Sequence, residues 1–127
     1  MHEFGLAQSI VTKILKIAEA NRATKIVGLN LEVGEVSLVN PEQLKWHMEI
    51  LTADTMAQDM EVTILEVPVR IRCPTCGYEG GVHYQKHGNE QLHSRIPDFD
   101  CVECGRTDTI IIQGKELSIK DINVSFE

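Results

Sequence analysis

Two C-x-x-C knuckles, Cys73-Pro-Thr-Cys76-Gly and Cys101-Val-Glu-Cys104-Gly, hold all four cysteines of the chain. Each puts two thiols on one tight turn. The glycine that follows lets the backbone approach the sulfurs and take positive φ. Four thiolates supplied in this way close a tetrahedron around Zn²⁺ and leave no open position for a reactant, so the pattern reads as structural zinc. A disulfide framework is the main rival. The opening Met1-His2-Glu3 lacks the basic n-region of a secretory signal, which argues for a reducing, cytoplasmic compartment and against disulfides. Iron and redox chemistry are further rivals, but a thioredoxin-like motif uses one C-x-x-C at a helix start.

The second candidate lies at the amino terminus. The α-amine of Met1, the deprotonated amide of His2 and the His2 imidazole can close adjacent chelate rings around one ion. Planar nitrogen donors of this kind favour Ni(II) or Cu(II) over zinc. Loss of the amide proton would make uptake pH-sensitive. Glu3 is read as an axial or outer group at that ion, or as an acidic residue favoured by the start of a helix. The bland alternative is an ordinary lead-in to a helix. Among the remaining histidines, His83, His87 and His93 lie between the knuckles and read as exposed loop residues. The competing reading makes His93, before Arg95-Ile96-Pro97, an auxiliary nickel ligand. His47, beside Trp46, reads as packing or surface.

Composition narrows the partners. The chain has 127 residues, a formal net charge of -7, 43% hydrophobic residues and a single tryptophan. Its core must therefore be aliphatic. Four thiolates and one zinc ion would make the charge more negative still, which argues against a phosphate backbone as partner. No run approaches the ~18 apolar residues of a membrane span.

The elements that must position these residues follow from periodicity. Residues 4–21 read as an amphipathic helix with Leu6, Ile10, Ile14, Ile17 and Ala18 inward. Residues 25–33 alternate, with Val27, Leu29, Leu31 and Val33 on one face. Asn40-Pro41 opens a second helix, expected to run to about Thr55, with Leu44, Met48 and Leu51 buried. Residues 61–67 and 117–124 read as strands. In the latter, Leu117 and Ile119 are out of phase with Ile122 and Val124, which predicts a bulge near Lys120-Asp121. Six of the nine glycines fall in 68–115. The expected fold is α/β: two helices packed on a three-stranded sheet, formed by 1–67 and 116–127. A zinc-ribbon-like insert, 68–115, has too few apolar residues to fold without a metal.

The opening Met1-His2-Glu3-Phe4-Gly5-Leu6-Ala7 resembles that of the HypA/HybF family of nickel-insertion accessory proteins for [NiFe]-hydrogenase maturation. So do Leu31-Glu32-Val33-Gly34-Glu35, the paired knuckles and the closing Gly114-Lys115-Glu116-Leu117-Ser118-Ile119-Lys120. The resemblance spans essentially the whole chain. It implies a nickel metallochaperone that is not an enzyme, with Ni²⁺ as transferred cargo at Met1, His2 and Glu3. It implies structural Zn²⁺ at Cys73, Cys76, Cys101 and Cys104. The implied partners are a nickel-handling GTPase and the hydrogenase large-subunit precursor, with urease as a second recipient and the protein a monomer or homodimer. The span between knuckles is longer than in shorter family members, so the resemblance assigns no role to His83, His87 or His93. No G-x-x-x-x-G-K-[ST] loop occurs, so nucleotide hydrolysis would belong to a partner. The rival reading is a zinc-ribbon nucleic-acid or protein-interaction module, which explains the cysteines but predicts a basic or aromatic face.

Overall fold

The computed structural model describes residues 2–85 and 96–126, with the side chain of His2 outside the description. In chain order the elements are α1 (His2–Ala20), β1 (Lys25–Gly34), α2 (Pro41–Thr52), β2 (Glu61–Val67), β3 (Arg70–Arg72), β4 (Glu79–Gly80), β5 (His83–Gln85), β6 (Ile96–Asp98), β7 (Ile110–Gln113) and β8 (Leu117–Ser125). The chain divides into two compact units. The first comprises 1–33, 37–66 and 117–127, and the second 34–36 and 67–116.

In the first unit two helices accompany a three-stranded sheet of order β2-β1-β8. Helix α1 buries Ala7, Ile10, Val11, Ile14 and Ala18. Ile17, expected inward, is 40% exposed. At about 100° per residue it sits roughly 70° from the centre of that stripe, on its flank. The helix ends in a Schellman-type turn, in which the Ala23 amide reaches back to the Ala18 carbonyl at 2.9 Å with Arg22 at φ 61.

Helix α2 starts where Asn40-Pro41 predicts. The Asn40 side-chain oxygen accepts from the amides of Glu42 and Gln43 at 3.0 and 3.1 Å. It ends three residues earlier than expected, at Thr52. The buried Thr52 hydroxyl donates to the Met48 carbonyl at 2.7 Å, and Asp54 at φ 65 turns the chain away. The buried positions are Leu44, Met48 and Thr52, while Leu51 is half-buried.

Strands β1 and β8 pair antiparallel, and the register shifts twice. Asn30 faces Asp121 while Leu31 faces Ile119, so Lys120 is the extra residue of a bulge. That bulge lets Leu117, Ile119, Ile122 and Val124 all pack against the same core, as the broken phase of the sequence requires. A second shift, between Ile26 and Gly28, makes Val27 the extra residue of β1. It corrects the alternation read from sequence: Ile26 is buried and Val27 is 44% exposed.

The second unit contains a sheet of order β4-β3-β7 and the hairpin β5-β6. Among its described residues the buried apolar ones are Val69, Ile71, Cys73 and Cys101. Two of these four are cysteines of the C-x-x-C knuckles, so the described part of this unit has little aliphatic core. Gly34 and Gly114 meet so closely that a Cβ on Gly34 would lie 2.2 Å from the Gly114 carbonyl.

Candidate metal centre and the amino-terminal segment

The two knuckles are built alike. The Cys73 amide donates to the Tyr78 carbonyl at 2.8 Å, and the Cys101 amide donates to the Arg106 carbonyl at 2.8 Å. Within each turn the glycine amide returns to the first cysteine's carbonyl, Gly77 to Cys73 at 2.9 Å and Gly105 to Cys101 at 3.0 Å. Both glycines hold positive φ, +83° and +79°, where a side chain would be strained. The first cysteine of each knuckle is buried and the second exposed.

This arrangement brings the four sulfurs together. The Cys73 and Cys104 Sγ atoms are 3.7 Å apart, those of Cys76 and Cys101 3.6 Å, and all four lie within 4.8 Å of one another. A tetrahedron with Zn–S bonds of about 2.3 Å has sulfur–sulfur edges of about 3.8 Å. One tetrahedral ion therefore fits the cluster. All four cysteines are free thiols, and the closest separations far exceed the roughly 2.05 Å of a disulfide.

Electrostatics divides the four. The Cys101 sulfur accepts from the amides of Cys104 and Glu103, each at 3.4 Å. The Cys104 amide is the stronger influence, and together these bonds outweigh desolvation and lower the thiol to about 7. Cys76 receives a backbone hydrogen bond from Tyr78 that lowers it. Desolvation and the sulfurs of Cys101, Cys73 and Cys104 outweigh that bond and push it up to about 12. Cys104 follows the same pattern: the Arg106 backbone bond lowers it, while desolvation and the neighbouring sulfurs Cys73 and Cys101 carry it up. Clustered thiolates repel one another, so without a cation the first proton lost obstructs the next.

The amino-terminal candidates are placed only in part. Met1 and the His2 side chain lie outside the described residues, as do His87 and His93. His2 begins α1, and Glu3 lies in its first turn. The Glu3 Oε2 accepts from the backbone amide of Asn40 at 3.0 Å. A carboxylate on α1 thus joins the cap of α2, a bond that sequence patterns do not reveal because 37 positions separate the partners. Phe4 packs edge-on against His47, with ring centroids 5.3 Å apart, and Trp46 meets the same histidine at 5.0 Å. His47 is therefore a packing residue. His83 is exposed in β5, opposite Asp98.

Sequence reading also passed over Glu35. Its Oε1 accepts from the Val69 amide and from the Tyr84 hydroxyl, both at 2.9 Å, tying the segment 34–36 to β5 and to the start of β3. The only signal was its place at the end of Leu31-Glu32-Val33-Gly34-Glu35, a stretch that carries the family resemblance without marking these bonds.

The fold and the four-sulfur cluster define a metal-binding α/β protein. The family model described as "Hydrogenase/urease nickel incorporation, metallochaperone, hypA" matches residues 1–124. The chain belongs to this HypA family, whose members are nickel-incorporation metallochaperones in hydrogenase maturation rather than enzymes. The hydrogenase maturation factor HypA of Methanothermobacter thermautotrophicus is 32% identical over 124 residues, covering 98% of this chain and 97% of that one. The corresponding factor of Methanobrevibacter smithii is 39% identical over 80 residues, covering 63% of this chain and 64% of that one. The solution structure of the Ni metallochaperone HypA from Helicobacter pylori superposes with a TM-score of 0.67 at 20% identity, covering 100% of both chains, and so shares the fold. No helix among the described residues is long and apolar enough to cross a membrane.

Proposed function

We propose that this chain carries Ni(II) at its amino terminus and hands it, with a nickel-handling GTPase, to the [NiFe]-hydrogenase large-subunit precursor in the cytoplasm. The observation that carries this reading is the family match, which begins at residue 1 and so includes Met1-His2-Glu3. The family description also names urease, which makes a urease apoprotein a second recipient.

The local chemistry supports the terminal site. The first four amides of a helix have no intrahelical acceptor, so deprotonating the His2 amide breaks no helical hydrogen bond. The positive end of the helix macrodipole eases loss of that proton and opposes tight retention of a cation. Both effects suit an ion that must be given up. Glu3, held by the Asn40 amide, serves as the group that fixes the direction of the terminal segment.

In the same reading the four cysteines hold one structural zinc ion, and the 67–116 unit is the zinc-binding domain. The sulfur separations and the donor set support zinc, since four soft thiolates saturate a tetrahedral ion. The first unit is then the nickel-binding domain.

The delivery step is tested by reconstituting hydrogenase large-subunit precursor with nickel supplied only on this protein. Loaded wild-type chain should transfer the ion, and His2→Ala should fail to do so while keeping its zinc. Equal transfer by both would remove the amino terminus from the function.

A further inference from the structure

We propose that the free edge of β8, beside α1, is a docking site for an extended strand of a partner protein that carries apolar residues at alternate positions and an acidic side chain. None of the residues that line it is among the four cysteines or Met1, His2 and Glu3.

The argument starts from the sheet. Its order, β2-β1-β8, leaves β8 as an edge strand. The Gly34 amide donates to the Glu116 carbonyl at 2.9 Å, which makes that position a hydrogen-bonded pair of the antiparallel ladder. Such pairs alternate with non-bonded ones, so Ser118 directs its backbone groups toward β1. Leu117 and Ile119 direct theirs away, and no further strand among the described residues takes them up. An edge of this kind is a template for one more strand.

A groove of about 530 Å³ lies next to the same stretch. It is lined by Leu6, Ile10 and Ile17 of α1 and by Leu117 and Ile119 of β8, with Lys13 at its rim. Its apolar wall explains why Ile17 is 40% exposed: the residue sits on the flank of α1 that overlooks the open edge. A strand added here would drop every second side chain against these residues and extend the existing core by one position.

Charge then selects the occupant. Lys13 lines the groove and is exposed, as is Lys16 further along α1, in a chain whose net charge is -7. Among the described residues the one ion pair is Arg106 with Asp108, so neither lysine is engaged by a described carboxylate. An incoming glutamate or aspartate would meet Lys13, whereas a lysine there would be repelled. A second copy of this chain is a poorer occupant, because a β8–β8 pairing offers Lys120 and the apolar residues of β8 already face their own core. The bulge at Lys120 limits strand addition to the first residues of β8.

The test uses ¹⁵N-labelled, zinc-loaded full chain and capped eight-residue peptides that alternate valine with threonine and carry one terminal glutamate or one lysine. The glutamate peptide should shift the Leu117, Ser118 and Ile119 amides and slow hydrogen exchange at Leu117 and Ile119. It should bind at least tenfold more tightly than the lysine peptide, and Lys13→Glu should reverse that order. Lys13→Gln should abolish the preference without unfolding. Equal response to the two peptides, or shifts confined to β2, would overturn the proposal. So would self-association that protects Leu117 and Ile119 with no peptide present.

Discussion

The carboxylate of Glu3, in the first turn of the first helix, accepts the backbone amide of Asn40, the residue that caps the second helix. In an ordinary capping box the third helical residue of the same helix reaches back to its cap amide. Here the acceptor comes from another helix, so the cap of α2 and the start of α1 hold each other in place.

Removing the Glu3 carboxylate or the Asn40 side chain should therefore loosen the start of α2, each through a different bond. Glu3→Ala and Asn40→Ala should each lower stability by about 1 kcal/mol, within the usual range for losing a cap, as read from denaturant midpoints. Glu3→Gln keeps an acceptor and should cost less. Asn40→Ala keeps the backbone amide that Glu3 accepts and loses only the side-chain cap, so it should leave nickel binding close to wild type, whereas Glu3→Ala should weaken it. An unchanged nickel affinity in Glu3→Ala would separate this bond from the site.

The four-thiolate centre should behave as the core of the second unit. Cys73→Ser, at a buried position, should abolish stoichiometric zinc and raise amide exchange across β3, β4 and β7. Helix α1 and strand β1 should keep their protection. A chelator should do the same to the wild type, because structural zinc contributes folding free energy directly. Loss of protection in α1 at the same chelator concentration would contradict this division.

Zinc uptake should release protons with a defined pH dependence. At pH 7 the Cys76 thiol, pushed up to about 12, is protonated and must give up a whole proton. Cys104 is raised as well and should do the same. Cys101, lowered to about 7, is half-ionised and releases about half a proton. The ion binds only the deprotonated sulfurs, so affinity rises with pH, and it should fall more steeply once pH drops below about 7 and Cys101 also protonates. Calorimetry in buffers of different ionisation enthalpy measures the release. A release that does not grow between pH 8 and pH 6 would contradict the assignment of Cys101.

Gly34→Ala should be among the most damaging small substitutions. Its Cβ would fall 2.2 Å from the Gly114 carbonyl, a backbone atom that no rotamer change can move. A cost of about 1–3 kcal/mol or more is expected from overpacking, read as a lower thermal midpoint. Gly5→Ala, where a Cβ meets nothing within 4 Å, is the matched control.

Much of this fold is legible in the sequence because local rules decided it. Asn40-Pro41 set the start of α2, and the phase break between Ile119 and Ile122 marked the bulge at Lys120. The knuckle spacing and the glycines after it specified four converging sulfurs. What stayed hidden depends on partners distant in sequence. Val27 carries no sign that it is the extra residue of a bulge, since Ile26 and Val27 are equally apolar. Ile17 fits the helical repeat but lies on its flank. The bonds of Glu3 to Asn40 and of Glu35 to Tyr84 join positions 37 and 49 residues apart, beyond any periodic pattern.

The central claim is that nickel binds at the amino terminus while zinc stays in the cysteine cluster. The most direct measurement is Ni(II) titration of zinc-loaded protein with its native terminus, run beside His2→Ala and a version extended by residues before Met1. The account predicts one nickel per chain in the native protein and loss of that site in both variants, with zinc content and fold unchanged. Nickel binding that survives both alterations would contradict it.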